Sequence, residues 1–160
     1  MLRLSKKTDY ALMAMKHLAS DPERRAATAR EIAERYDIPI ELMAKVLQRL
    51  VRSGLLVSTQ GTRGGYTLRR PSASISVADV IQAIDGPFSV TACSTENSGC
   101  DQYSKCSVRD PLWQIRERIA AALATVSVAE LAADQIKGEG LRPDAETVAA
   151  PVAIMRRANA

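Results

Sequence analysis

Apolar and polar positions along this chain follow two different periods, and the change from one to the other marks out its architecture. Through about residues 5–20, Ala11, Ala14, Met15 and Leu18 recur at steps of three and four, the spacing that gathers side chains on one face of an α-helix. A second helix is expected over about 28–36, burying Ile32, Ala33 and Tyr36. A third, over about 39–53, turns Met43, Val46, Leu47 and Leu50 inward, with Pro39 in its first turn and Gly54 as its terminator. The period then drops to two. Leu55, Val57 and Thr59 alternate, as do Tyr66 and Leu68, on either side of Gln60-Gly61-Thr62-Arg63-Gly64-Gly65. Two short alternating runs around a glycine-rich turn predict a β-hairpin. A fourth helix over about 77–85 aligns Val77, Val80, Ile81 and Ile84 and stops at Gly86-Pro87. Asp110-Pro111 then opens a longer helix to about 125, whose Leu112, Ile115, Ile119, Ala122 and Val126 approach a heptad seam. A short helix over 128–136 follows.

Pairs of a hydroxyl and an acid three residues on mark several of these starts. Thr28 with Glu31, Ser76 with Asp79 and Ser127 with Glu130 have capping-box spacing, and Ser5 followed by Asp9 is a looser relative. The order helix, helix, helix, hairpin predicts a mainly α fold with a small β-hairpin wing: a winged helix-turn-helix with a long dimerisation helix appended. The expected organisation is a winged-helix DNA-binding domain over 1–86, a cysteine cluster-binding loop over 87–110, the dimerisation helix and short following helix over 111–137, and a flexible tail over 138–160. The seam on the long helix is more than a monomer of this size is expected to bury, so a symmetric homodimer reading a palindromic operator is expected. The competing expectation is that the seam packs on its own winged helix.

Composition sharpens this picture at a few points. Apolar residues make up 46% and aromatics only 4%, so the core is aliphatic, as suits helices. The net charge of +4 is compatible with a polyanionic partner. The early apolar stretch is cut by Lys16 and His17, too short for a secretory signal, and no run reaches a membrane span. A cytoplasmic setting is expected, with no membrane partner. Catalysis is not: the chain has no phosphate-binding glycine loop, no Ser–His–Asp set beyond an isolated His17, and no evident pair of acids.

On the third helix the outward positions are Glu41, Ala44, Lys45, Gln48, Arg49 and Arg52. A helix presented this way fits the major groove of double-stranded DNA, where base edges are distinguishable. Glu41 and Lys45, near the helix start, are the expected base readers. Arg49 and Arg52 are placed to meet phosphate or the protein itself. At the hairpin tip, Arg63 is suited to a narrow minor groove, and Gly64 lets the backbone approach DNA. Alone, each feature is equally an ordinary solvated surface. Their order along the chain favours a nucleic-acid interface.

All three cysteines, Cys93, Cys100 and Cys106, fall in the loop between the fourth and the long helix. In a reducing compartment, an odd cluster of thiols points to metal or redox chemistry more than to a disulfide framework. Three thiolates leave one ligand of an iron–sulfur cluster to be found elsewhere. Zinc with a fourth ligand, or free thiols that sense oxidants, are the alternatives.

Specific segments then carry a resemblance. Leu4-Ser5-Lys6 with Thr8-Asp9-Tyr10-Ala11-Leu12, Leu47-Gln48-Arg49-Leu50, Ser53-Gly54-Leu55-Leu56, Arg63-Gly64-Gly65-Tyr66-Thr67-Leu68 and Ile75-Ser76-Val77-Ala78-Asp79-Val80-Ile81 are similar to the IscR–NsrR superfamily of bacterial regulators. The likeness continues through the cysteines and the Trp113 helix, over about 1–136. The opening residues most resemble the subgroup that regulates the SUF iron–sulfur assembly system. The resemblance implies a homodimeric winged-helix transcription regulator, expected to be a repressor, of iron–sulfur assembly or redox and nitric-oxide stress genes. It also implies an iron–sulfur cluster, of four-iron or two-iron type, in each cysteine loop. The IscR branch uses a histidine three residues after the last cysteine; here Arg109 stands there, and it stays protonated and cannot ligate. The NsrR branch uses an aspartate from the other subunit at a position matched by Asp9. An acid there also favours the helix dipole without any metal. The contrasting function is an iron–sulfur carrier or assembly-associated protein.

Overall fold

A computed structural model of the chain describes residues 3–21, 26–61, 64–91 and 100–134. Its helices are α1 (Lys6–Ser20), α2 (Ala29–Arg35), α3 (Ile40–Arg52), α4 (Val77–Asp85), α5 (Arg109–Thr125) and α6 (Val128–Ala132). Strands β1 (Leu56–Thr59) and β2 (Gly65–Leu68) pair antiparallel, with Leu56 opposite Leu68 and Thr59 opposite Gly65. This is the mainly helical winged helix-turn-helix that the periodicity predicts. The expected tail over 138–160 lies outside the described residues.

The inward stripes converge on one aliphatic core. Met15 of α1, Ile32 of α2, Met43, Leu47 and Leu50 of α3, Leu56 of β1 and Val80 of α4 are fully or almost fully buried in it. Each such side chain removed from water stabilises the fold by roughly 1.5–3 kcal/mol. The predicted caps form at Thr28, Ser76 and Ser127: each hydroxyl accepts from the backbone three residues on, and the acid there accepts from the cap backbone. Gly54, at φ 78°, ends α3, and Gly86, at φ 86°, ends α4; glycine takes such left-handed angles without a side-chain clash.

Several details depart from expectation. Pro39 caps α3 rather than entering its first turn. The turn after α3, closed by Leu55 N–H donating to the Leu50 carbonyl at 3.0 Å, buries Leu55, and the inward residue of β1 is then Leu56. Val57, read from alternation as sharing a face with Leu55, is 38% exposed. Ala27 forms a bridge with Tyr66, two hydrogen bonds of 3.1 and 2.8 Å, so the wing is tied to the segment before α2. The long helix begins one residue early, at Arg109, with Asp110 and Pro111 in its first turn. Helix α6 ends at Ala132, short of the expected 136, and Asp134 follows at a φ of 52°.

The last helix returns to the head. Val128 is fully buried in the winged-helix core, and Val77 N–H donates to the Val126 carbonyl at 2.8 Å while Val128 N–H donates to the Ile75 carbonyl at 2.8 Å. Helix α5 itself buries no residue fully. Ile119 and Leu123 face α4 across a cleft of about 620 Å³, whereas Ile115 is 46% exposed. The predicted seam is therefore divided between its own chain and open surface. No described helix is long and apolar enough to cross a membrane.

Candidate nucleic-acid interface and cysteine site

Helix α3 is positioned from behind. Its inner face, Met43, Val46, Leu47 and Leu50, is held by α1 and α2, and Ile38 N–H donates to the Ala33 carbonyl at 3.0 Å to close the turn between α2 and α3. Asp37 sits in that turn at a φ of 52°, an angle that Asp tolerates better than most residues. The outer face then carries Glu41, Lys45, Gln48, Arg49 and Arg52, all exposed. Beside it runs a groove of about 220 Å³ between α1, α3 and Ile84 of α4, lined by Lys7, Lys45, Arg49 and Arg52 and, among the described residues, by no carboxylate. Lys7 was not legible in the sequence as part of this face: it is one of two lysines opening α1, and only the tertiary approach of α1 to α3 brings it there. Arg49 makes the protein contact that was one of its two expected roles. Its Nε donates to the Ala83 carbonyl at 3.0 Å, tying α3 to the end of α4, while the residue stays exposed at the groove.

Arg63 lies outside the described residues. Gly64 has a structural reason of its own. Its N–H donates to the Gly61 carbonyl at 2.9 Å, and a Cβ there would collide with the Thr59 carbonyl oxygen.

Cys93 also lies outside the described residues, so the grouping of all three thiols is not on view. Cys100 is exposed and Cys106 half-buried, and both are free thiols. The chain between them is folded rather than extended: Tyr103 N–H donates to the Cys100 carbonyl at 3.0 Å, a 3₁₀ turn spans Tyr103–Lys105, and Cys106 ends it. Arg109 braces this turn. Its guanidinium lies 4.6 Å from the Tyr103 ring centre, its Nη1 donates to the Tyr103 carbonyl at 3.2 Å, and its Nε donates to Asp110 at 2.7 Å. That hydrogen bond to Asp110, above all, pushes the guanidinium's pKa further up, and the nearby Cys106 adds to the effect. One turn beyond on α5, the Trp113 Nε1–H is buried without a hydrogen-bond partner among the described residues. Two free thiols with a fixed cation near one of them are a lining that an anionic, thiolate-held group can use. Asp9 is exposed on α1, beside the fully buried Thr8. Within one chain, no three His, Cys, Asp or Glu side chains gather into a metal site among the described residues.

Asp85 emerges only from the structure. As the last residue of α4 it accepts from Ser5 Oγ at 2.7 Å, Thr8 Oγ1 at 2.8 Å and the Ser5 N–H at 3.2 Å. Ser5 Oγ in turn accepts from Thr8 N–H at 3.2 Å. The cap at the start of α1 thus takes its reciprocal acid from α4, not from Asp9. Partial burial pushes the Asp85 carboxyl up, but the Ser5 and Thr8 hydrogen bonds and the charge of Arg49 outweigh it and hold its pKa below the ordinary value.

Known proteins fit this arrangement. The family model Rrf2, described as an iron-dependent transcriptional regulator, matches residues 4–134. The HTH-type transcriptional regulator IscR of Klebsiella pneumoniae is 33% identical over 135 residues, covering 84% of this chain and 82% of that one. The structure of CymR, the global cysteine regulator of B. subtilis, superposes with a TM-score of 0.67 at 23% identity, over 85% of this chain and all of the other. IscR of T. potens gives 0.65 at 24% identity over 92% and 96%. These relatives are regulators, not enzymes, and this chain belongs to the Rrf2 family of winged-helix transcriptional regulators.

Proposed function

We propose that the protein is a homodimeric regulator, a repressor, whose hold on a palindromic operator depends on an iron–sulfur cluster in the cysteine loop. The observation that carries the DNA half is the outer face of α3 and its cation-lined groove. Glu41 and Lys45 read base edges; Gln48, Arg49 and Arg52 secure the helix on the backbone; Arg63 and Gly64 place the wing tip in the minor groove. Cys93, Cys100 and Cys106 hold the cluster, and Asp9 supplies the remaining ligand across the dimer. When bound, such a group supplies a centre that oxygen, nitric oxide or iron shortage can alter. The protein's residues do the rest: Arg109 fixes the turn between two ligands, and Ile115 on α5 offers an apolar face to a second copy. The resemblance of the opening residues favours iron–sulfur assembly genes as targets.

The test is anaerobic purification followed by visible spectroscopy, native mass spectrometry and operator binding. Brown protein with iron and sulfide bound to a dimer, lost in the Cys93, Cys100 or Cys106→Ala variants, supports the reading. Colourless protein that binds DNA with salt-dependent affinity would instead select the zinc or thiol-redox reading. Iron-loaded protein indifferent to every duplex would select the carrier.

A further inference from the structure

Four hydrogen bonds converge where the cysteine loop leaves the head. Asp85 stands immediately before Gly86, the residue from which that loop departs. Its carboxylate holds Ser5 and Thr8 at the start of α1 through three of them, and Thr8 is the one polar side chain fully buried among the described residues. The fourth comes from α3: Arg49 donates to the Ala83 carbonyl two residues upstream, and its charge reaches Asp85. One carboxylate therefore binds the loop's anchor to α1, next to Asp9, and Arg49 ties the same end of α4 to the helix that faces DNA.

We infer that Asp85 is a positioning residue that couples the state of the cysteine loop to the setting of α3, by locking the start of α1 and the end of α4 into one unit. The inference rests on the cluster-dependent reading above. A displacement of the loop pulls on Gly86, and a displacement of Asp9 pulls on α1. Asp85 joins the two at the end of α4, and the Arg49 bond to Ala83 passes them to α3. Without the carboxylate, the helices keep their apolar packing and α3 keeps its bond to Ala83, but the start of α1 moves independently of the end of α4 and so of α3.

The test compares wild type with Asp85→Asn, Ser5→Ala and Thr8→Val. Each is reconstituted anaerobically with ferrous iron and sulfide, then stripped with a chelator. The probe is the duplex that the wild-type protein selects from a random-sequence library. The readout is the ratio of affinities in the two states, so a uniform weakening from a looser head cancels. Circular dichroism confirms folding, and visible absorbance per chain confirms equal loading. The wild-type ratio is expected to be on the order of tenfold or more, and the ratio in the variants to fall below about threefold. Ser5→Ala removes only a partly exposed hydroxyl and so keeps the test open should the other two fail to fold. Variants that keep the wild-type ratio overturn the inference alone. A wild-type ratio of one overturns the cluster-dependent reading and the inference with it.

Discussion

Replacing Lys7 with glutamine removes one of the four cations lining the groove beside α3 while keeping a good helix former at an exposed position. If Lys7 neutralises a phosphate, each contact contributes about 0.9 to the slope of log affinity against log salt on B-form DNA. A symmetric dimer loses two contacts, so the slope becomes shallower by about 1.8. Between about 50 and 200 mM salt, a fourfold range, the wild type then weakens about twelvefold more than the variant. Fluorescence anisotropy on one labelled duplex across that range measures both slopes. The variant is also expected to weaken binding evenly across sequences, because a phosphate contact reads no base. The alternative is a lysine that merely adds to the general field. At physiological salt, charges more than about 8 Å apart are largely screened, so the slope would barely move. A slope within about 0.5 of wild type, or a loss confined to particular operator positions, would refute the placement of Lys7 against phosphate.

Other expectations follow from single contacts. Asp85→Asn should flatten the acid limb of thermal stability: with its folded pKa below 3.8, Asp85 contributes stability above the ordinary carboxyl range, and this is lost as pH falls through the folded value, so melting scans from about pH 6 to pH 2 should converge only at the acid end. Leu47→Ala, at a site with no solvent exposure, should cost about 2–5 kcal/mol, read by urea denaturation; a smaller loss would mean that the core is not centred on α3. Gly64→Ala should distort the wing turn, lowering DNA affinity while the melting temperature of the head changes by only a few degrees. Ile115→Asp should leave the head folded and raise the monomer fraction in analytical ultracentrifugation; an unaltered dimer would place the interface elsewhere.

The helices were legible because local rules and tertiary packing agree in them. Met43, Val46, Leu47 and Leu50 recur at helical spacing and are buried together, and the acids that complete the caps of α2, α4 and α6 lie three residues from their hydroxyls. The wing was legible as a hairpin, but its facing was not, because the register of β1 is set by the turn at Gly54 that buries Leu55. What escaped the sequence depends on contacts between distant residues. Asp85 looks like an ordinary acid at a helix end until Ser5 and Thr8 are seen on it. Lys7 becomes part of the groove only through the approach of α1 to α3. The exposed positions of α3 were read from periodicity alone, and the structure adds that Arg49 is also a tie to α4.

Helix α5 is held in physically different ways at its two ends. At its C-terminal end, the Val77–Val126 and Ile75–Val128 backbone bonds and the buried Val128 make α6 part of the core, so this end cannot shift without breaking packed apolar contacts. At its N-terminal end, α5 starts without a side-chain cap, and Arg109 spends its donors on Tyr103 and Asp110, within the cysteine segment rather than on the head. Under the cluster-dependent reading, a helix firmly held at one end and tied at the other to the cysteine segment would pivot about the firm end. The apolar side chains along α5 divide accordingly, Ile119 and Leu123 toward α4 and Ile115 toward open surface. Under the cluster-dependent reading proposed above, a change at the cysteines would be directed toward the face that a second copy would cover, and through Gly86 and the end of α4 toward α3, so that one event in the loop would act on both the pairing of two heads and the helix each head presents.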